Sequence, residues 1–196
     1  MKHLGRKLYH LFGGLGLLAV YFILSRELAL IFYAILFVIV LALDLVRLRV
    51  PAFNQFFFTR FGSFIRPNEA TKLTGTPPYI LGIGLSLFFF RTDVAAAAIC
   101  FLAFGDVAAS AVGERYGNLK IGEKSLEGTL AFIIAAAGAG LLLSMAGIAL
   151  PTGIILLGTF VAAGVELLPL PVNDNLVIPL AAGGVMQSVL LWMGPK

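Results

Sequence analysis

The longest uncharged stretch of the chain runs from residue 128 to residue 165 and contains no Asp, Glu, Lys or Arg. A membrane-spanning helix needs about 20 mostly apolar residues, so this stretch is long enough for two of them. Pro151, with Gly147 and Gly153 close by, supplies a break between the two, because proline interrupts the hydrogen bonding of a helix. The stretch therefore predicts an integral membrane protein.

The composition of the whole chain extends this prediction. Of 196 residues, 60% are hydrophobic and only 12% are charged, and the mean hydropathy is +0.99. A soluble domain of this size does not need so much apolar material for its core. We expect an all-α, polytopic helical bundle with about seven transmembrane helices in a single membrane-embedded domain over residues 1–196. The predicted spans lie near residues 8–25, 28–46, 77–91, 92–112, 128–148, 152–167 and 175–193.

The distribution of Lys and Arg predicts the orientation of the spans. Eleven of the 14 lie in the amino terminus, in residues 47–72 and in residues 113–127, whereas Arg26, Arg91 and Lys196 lie on the other side. Because positive charge accumulates on the cytoplasmic side, we expect the amino terminus and both loops to be cytoplasmic. The formal net charge of +4 has the same explanation, so we predict the lipid bilayer as a partner and no nucleic acid.

Residues 105–129 are the main candidate for a functional site, since they gather charged residues in a chain that is otherwise mostly apolar. At helical spacing, Asp106, Ser110, Gly113 and Gly117 share one stripe of a helix. A carboxylate, a hydroxyl and two bare backbone positions on one stripe would form a groove with a charge at its inner end.

The second half of this segment alternates glycine with basic residues. Backbone N–H groups and cations can both approach a phosphate there, so the pattern predicts a phosphorylated ligand. The residues of the pattern are Gly113, Arg115, Gly117, Lys120, Gly122, Lys124 and Gly128. The segment is not a P-loop, because that motif needs a glycine directly before the lysine and another five positions earlier.

Polar candidates outside this segment have structural explanations as well. Arg6 and Lys7 stand before the first span, where they also serve as an orientation signal, and His10 is either a proton acceptor or an interfacial residue. Helix capping does not explain Glu69 and Lys72, which precede the third span.

A further acidic segment joins the sixth and seventh spans. Glu166 ends the uncharged stretch and is followed by Pro169 and Pro171, which favours a group held facing another helix. Asn173 or Asp174 acts either as a helix cap or as a functional group.

Five motifs, taken in this order, resemble the polyprenol kinase family of dolichol kinase, phytol and farnesol kinases and CTP-dependent diacylglycerol kinase. They are RKxxH at 6–10, EATKLTG at 69–75, GDVAASAVGERYG at 105–117, KSLEGT at 124–129 and NDNLVIP at 173–179. The resemblance covers nearly the whole chain. It implies a membrane-embedded catalytic domain that transfers the γ-phosphoryl group of a nucleotide, usually CTP, to the hydroxyl of a long-chain lipid alcohol or diacylglycerol.

The resemblance and the chemistry of phosphoryl transfer together suggest roles for the candidates. Such transfer needs a divalent metal, cations around the phosphates and accurate positioning, and Mg²⁺ prefers a few carboxylates with water and phosphate oxygens. The predicted Mg²⁺ ligands are Asp106, Asp174 and Glu166. The predicted catalytic residues are Asp106, Lys124, Asp174, His10 and Glu69. The predicted CTP-binding residues are Arg6, Lys7, Lys72, Gly105, Ser110, Gly113, Arg115, Gly117, Lys120, Ser125, Gly128 and Asn175.

One position departs from the family pattern. The last motif usually carries two adjacent aspartates before the asparagine, and here the first of them is Asn173. If that aspartate binds metal, another acid has to supply its charge, and Glu166 or Glu69 is the candidate.

Other functions stay open at this point. A lipid-phosphate cytidylyltransferase also has a Gly-Asp helix stripe and a basic loop, but it is expected to carry an acidic–arginine–acidic cluster at its carboxyl end, and this chain has no arginine after Arg115. The four-aspartate helix pattern of CDP-alcohol phosphotransferases is absent. A small transporter would hold its charges midway across the membrane, whereas here they lie at one face. The oligomeric state is also open, since Gly105, Ala109 and Gly113 form an edge of small residues that could pack within or between subunits.

Overall fold

The computed structural model describes residues 4–148 and 150–194. Within these ranges the chain forms eight α-helices, two short 3₁₀-helices (Gly62–Phe64 and Pro67–Thr71) and one short hairpin. The helices are α1 (Leu4–Ile23), α2 (Arg26–Arg49), α3 (Pro51–Phe61), α4 (Thr76–Phe89), α5 (Thr92–Tyr116), α6 (Leu126–Met145), α7 (Thr152–Leu167) and α8 (Asp174–Met193). The hairpin, β1 (Lys120–Ile121) and β2 (Lys124–Ser125), lies between α5 and α6. The predicted all-α bundle is confirmed, with this hairpin as a small addition.

Seven of these helices lie where the seven spans were predicted, and α3 is the additional one. By length and composition, four helices in the described ranges can cross a membrane, namely α2, α5, α6 and α8. The apolar helices α4 and α7 are shorter, and α1 begins with charged residues. The polytopic membrane bundle is therefore confirmed, while the count of seven spans stays a prediction.

Helix α5 forms the centre of the bundle. It contacts α1, α4, α6, α7 and α8, and its residues 94–103 are all buried. Residues 95–98 are consecutive alanines, whose small side chains let neighbouring helices approach closely. The apolar first half of α5 is thus a packing core, and its polar second half emerges at one end of the bundle.

Local sequence signals explain several helix ends. The side chain of Asn173 accepts the N–H of Asn175 at 3.0 Å and caps α8, which confirms the predicted capping role at this position. In the same way Ser125 accepts the N–H of Gly128 at 3.1 Å and caps α6. The break predicted around Pro151 is confirmed, because α6 ends before it and α7 begins directly after it.

Candidate active site

Two adjoining cavities lie at the end of the bundle where the polar segments meet. The larger has a volume of about 450 Å³ and lies between the start of α1, residues 64–76, the hairpin and residues 168–175. The smaller has a volume of about 260 Å³ and lies between α5, the hairpin and the start of α6. Six residues line both cavities, and we call this set the junction: Arg6, Arg66, Asn68, Asp106, Glu123 and Lys124.

Lys124 joins two carboxylates at the junction. Its Nζ donates to Oε1 of Glu166 at 2.9 Å and to Oδ2 of Asp174 at 2.8 Å. Burial by itself lowers the pKa of Lys124, but the charges of Asp174 and Glu166 and their hydrogen bonds outweigh this effect and raise the pKa above its ordinary value. Lys124 therefore stays a cation, and since an ammonium group has three donors, one is left for a ligand.

The hairpin determines where Lys124 lies. Gly122, in the turn between β1 and β2, has a φ of +61°, a conformation that favours glycine. The carboxylate of Glu127 accepts the N–H groups of Asn118 at 3.1 Å and Leu119 at 3.2 Å, which ties the start of the hairpin to the first turn of α6. The segment predicted as a glycine-rich basic loop is therefore an anchored hairpin.

Asp106 lies at the junction in a different environment. Its side chain is half-buried and lines both cavities, and in the described part of the chain it forms no hydrogen bond or ion pair. A carboxylate placed within a membrane bundle is costly unless it meets water, a cation or a ligand. The position of Asp106 suits the role that was predicted for it.

The structure does not bring the three predicted metal ligands together. Among residues 4–148 and 150–194, no group of three or more His, Cys, Asp and Glu side chains is close enough to hold a metal ion. Glu166 and Asp174 are instead joined by the ammonium of Lys124. Their negative charge is partly neutralised by the protein itself, which leaves Asp106 as the carboxylate best suited to a metal.

His10 lines the larger cavity, as its predicted role requires. The residue is buried, and its ring packs edge-on against the ring of Tyr79 with 4.8 Å between the centroids. The Tyr79 hydroxyl donates to the backbone oxygen of His10, so it does not occupy the imidazole. Nδ1 of His10 is buried and has no hydrogen-bond partner within the described residues.

Glu69 also lines the larger cavity, but both of its carboxylate oxygens have structural partners. Oε2 accepts the N–H of Arg66 at 3.0 Å, and Oε1 accepts the N–H of Gly75 at 3.0 Å. On the other side, Nδ2 of Asn175 donates to the backbone oxygen of Gly75 at 3.1 Å. These contacts close residues 66–75 into a compact loop that is fastened to the start of α8.

The sequence analysis missed Asp44 and Arg47, which hold this loop from α2. Arg47 is only 1% exposed and donates to the backbone oxygens of Glu69 at 3.0 Å and Lys72 at 2.7 Å. Its partner Asp44 accepts the N–H of Thr74 at 2.7 Å and the Thr74 hydroxyl at 3.0 Å. Both could have been recognised from the sequence, because Asp44 is an acid inside an apolar helical run and Arg47 follows it three residues later.

The remaining residues predicted to bind CTP fall into two groups. Most of them line a cavity: Arg6 lines both, Lys72 and Asn175 line the larger, and Ser110, Gly113, Lys120, Ser125 and Gly128 line the smaller. Four line neither cavity, namely Lys7, Gly105, Arg115 and Gly117.

Two of these four are cations with other partners. Lys7 is buried, and its Nζ forms an ion pair with Glu114 at 2.9 Å. The guanidinium of Arg115 lies over the ring of Tyr116, 5.2 Å from its centroid. Neither side chain lines a cavity: Lys7 is held by Glu114, which itself lines the smaller cavity, and Arg115 lies against Tyr116, which lines neither.

The two glycines that line neither cavity are explained by packing. A Cβ on Gly105 would lie 2.6 Å from the ring of Phe132 in α6, and one on Gly117 would lie 2.6 Å from Oγ of Ser125. Gly128 has a comparable constraint, since its Cβ would lie 2.9 Å from the backbone oxygen of Ala109. The glycine pattern therefore allows the close approach of α5, the hairpin and α6.

The chain is similar to proteins named CTP-dependent diacylglycerol kinase 1 from three organisms. It is 38% identical to the Saccharomyces cerevisiae protein over 98 residues, 48% of this chain and 34% of that protein. It is 41% identical to the Eremothecium gossypii protein over 101 residues, 50% of this chain and 32% of that protein. With the Schizosaccharomyces pombe protein the identity is 26% over 163 residues, 75% of this chain and 74% of that protein.

These relatives confirm the resemblance to the polyprenol kinase family. The chain matches only about a third of the length of the first two relatives. No family model matches the chain, and no solved structure matches it. The polyprenol kinase resemblance thus rests on these similarities and on the five motifs. Three of the motifs contribute a junction residue, namely Arg6, Asp106 and Lys124, and a fourth contributes Asp174, which pairs with Lys124.

Proposed function

We propose that this chain is a membrane-embedded lipid kinase that transfers the γ-phosphoryl group of CTP to the hydroxyl of diacylglycerol or of an isoprenoid alcohol. The observation that carries the proposal is the junction, where Asp106, which has no side-chain partner among the described residues, and Lys124, which has a spare donor, line the same two cavities. Phosphoryl transfer needs a carboxylate for metal and cations for phosphate at one place. The names of the relatives support CTP as donor and diacylglycerol as the first acceptor to test.

The smaller cavity suits the phosphates of the nucleotide. It is lined by backbone at Gly113 and Gly128, by the hydroxyls of Ser110 and Ser125 and by the ammonium of Lys120. It also adjoins the first turn of α6, where the helix dipole favours negative charge. The Ser110 hydroxyl already donates to the backbone oxygen of Val107 at 3.2 Å, so Ser125, Lys120 and the helix start are the groups suited to a polyphosphate.

Mg²⁺ fits this arrangement with Asp106 as its main protein ligand. Magnesium in phosphoryl-transfer sites is commonly held by one or two carboxylates together with substrate phosphates and water. Asp174 and Glu166 are less suited, because both are already paired with Lys124. The ion would neutralise phosphate charge during transfer.

The larger cavity suits the acceptor alcohol. Exposed apolar side chains line it beside the polar junction, including Phe64, Leu73, Leu170 and Val172, as expected for a ligand with a polar head and an apolar chain. The lipid hydroxyl oxygen attacks the γ-phosphorus, the bond from that phosphorus to the β–γ bridging oxygen breaks, and CDP leaves. His10 accepts the hydroxyl proton, since its imidazole is a base and the residue lines this cavity.

We also propose that both cavities face the cytoplasm. The cations that line them belong to the amino terminus, to residues 47–72 and to residues 113–127, which are the segments that carry the positive-inside signal. A site on this face has direct access to cytoplasmic nucleotide.

The test is transfer of label from CTP to lipid by the purified chain in detergent micelles with Mg²⁺. CTP labelled in the γ-phosphate and CTP labelled in the α-phosphate are compared, each with diacylglycerol, phytol, farnesol, dolichol or no acceptor, and ATP replaces CTP in a parallel series. We expect γ label and no α label in the lipid. With phosphatidate as acceptor, entry of α label would instead identify a cytidylyltransferase, and no transfer under any condition would refute the proposal.

A further inference from the structure

Arg66 lies at the junction although none of the five motifs includes it. Its side chain is exposed and lines both cavities. In the described part of the chain it forms no ion pair. An arginine with no acidic partner, facing two cavities at once, is available to an anion.

The backbone that carries Arg66 is held firmly. Its N–H donates to the Glu69 carboxylate at 3.0 Å, and its backbone oxygen accepts the N–H of Glu69 at 2.9 Å. The loop is further fastened to α2 through Arg47. A cationic residue whose backbone is already held in place loses less conformational freedom when a ligand binds. The loop therefore favours ligand binding by Arg66.

Arg6 approaches the same space from α1. It also lines both cavities, and its buried Nε has no hydrogen-bond partner within the described residues. The charge of Arg66 acts on Arg6 together with the opposite charges of Asp106, Glu69 and Glu114.

Among the described residues, none of the acids that line the two cavities, Glu123 included, forms an ion pair with Arg6 or Arg66. Both oxygens of Glu69 accept backbone N–H groups, Glu114 pairs with Lys7, and Asp106 forms no ion pair in the described ranges. Arg6 and Arg66 line the same two cavities, and an anion bound there would lower the repulsion between their like charges.

We propose that Arg6 and Arg66 form a phosphate-binding site at the junction, which holds the terminal phosphates of a nucleoside triphosphate between the two cavities. A guanidinium group presents parallel N–H donors that match phosphate oxygens. The site rests on the proposed function only for the identity of the nucleotide, because its chemistry would also bind an inorganic polyphosphate.

The experiment measures equilibrium binding of inorganic tripolyphosphate and of CTP to the purified full chain in detergent micelles. The variants are Arg66→Met, Arg66→Lys and, as a matched control, Arg60→Met, which removes an exposed arginine of α3 that lines neither cavity. Arg66→Met should weaken both ligands about 10-fold to 100-fold, as expected for lost hydrogen bonds to a charged group. Arg66→Lys should restore part of the affinity, and Arg60→Met should bind like the unchanged chain.

A second comparison tests whether the two arginines act on one phosphate. If they do, the double variant Arg6→Met/Arg66→Met should lose less affinity than the product of the two single losses, because either change alone already disrupts the shared site. Thermal unfolding midpoints identify any variant that has lost its fold, and Arg66→Met decides the matter because this side chain is exposed.

The site is overturned if the unchanged chain does not bind tripolyphosphate, or if Arg66→Met weakens binding no more than Arg60→Met. The same measurements distinguish failure of this phosphate site from failure of the proposed kinase function. Tripolyphosphate binding that depends on Arg66, without any transfer of label to lipid, would refute the kinase and support the site. Transfer of label to lipid by a chain whose tripolyphosphate binding does not depend on Arg66 would support the kinase and refute the site.

Discussion

Lys124→Met should destabilise the fold, because it leaves Glu166 as a buried carboxylate without its cation. Glu166 is 3% exposed, and its other contact is the hydroxyl of Thr129 at 3.4 Å. Asp174 depends less on Lys124, because its side chain remains 26% exposed and can be solvated. The damage is therefore expected to come from the Glu166 side of the pair.

The magnitude follows from the burial of Glu166, the carboxylate that is left behind, because Lys124 itself is 28% exposed. Removing one partner of a buried pair costs about 3–5 kcal/mol, because the other charge is left uncompensated. For a chain of this size each kcal/mol shifts the unfolding midpoint by about 2–4 °C. We therefore expect the thermal midpoint of Lys124→Met to fall by about 6–20 °C.

The assay is thermal unfolding in one detergent at neutral pH, with Glu166→Gln as a second change. The neutral amide of glutamine is less costly to bury than an unpaired carboxylate, so Lys124→Met/Glu166→Gln should regain most of the lost midpoint. Under the proposed function its transfer of label to lipid should stay low, because the cation proposed to face the phosphates is still missing. Stability and activity are thereby separated in one pair of variants.

Two results would refute this reasoning. If Lys124→Met keeps its midpoint within about 2 °C, which corresponds to less than about 1 kcal/mol, the contact with Glu166 does not stabilise the fold. If the midpoint falls but Glu166→Gln does not restore it, the loss comes from some feature other than the uncompensated carboxylate.

Three further expectations follow from the same contacts. Asp106→Asn should abolish transfer of label while the unfolding midpoint stays within about 2 °C, because no contact in the described structure depends on the carboxylate; residual activity near that of the unchanged chain would remove Asp106 from the site. His10→Gln should lower kcat by about 10²-fold to 10⁴-fold with little change in the KM for CTP, measured by steady-state kinetics, and an unchanged kcat would exclude His10 as the base. Arg47→Met should destabilise the fold by about 3–5 kcal/mol in thermal unfolding, and Asp44→Asn in the same chain should reduce that loss if the buried acid is its cause.

The departure from the family pattern at Asn173 has a structural correlate. Asn173 caps α8 with its side-chain oxygen, while Glu166 and the neighbouring Asp174 share the ammonium of Lys124. That Glu166 replaces a missing aspartate in metal binding stays a prediction. The contact does show that Glu166 and Asp174 are coupled through Lys124, so substitutions at these positions should not be simply additive.

The sequence by itself determined the helices and the membrane class of this protein. The uncharged stretch, the break at Pro151 and the cap at Asn173 all act through hydropathy or through hydrogen bonds within a few residues, so they can be recognised without knowledge of the fold. For the same reason the polar motifs could be listed from the sequence and expected at one face of the membrane.

Which polar groups meet was decided only by the tertiary structure. Lys124 contacts acids 42 and 50 positions away in the chain, and Lys7 pairs with Glu114, 107 positions away. Arg47, which was predicted to lie in the loop after the second span, belongs to α2 and holds the loop that carries Arg66. Such pairings depend on how the helices pack around α5 and on distances of a few ångströms between remote segments. Spacing along the chain does not encode those distances, so the sequence named most of the polar residues but could not pair them.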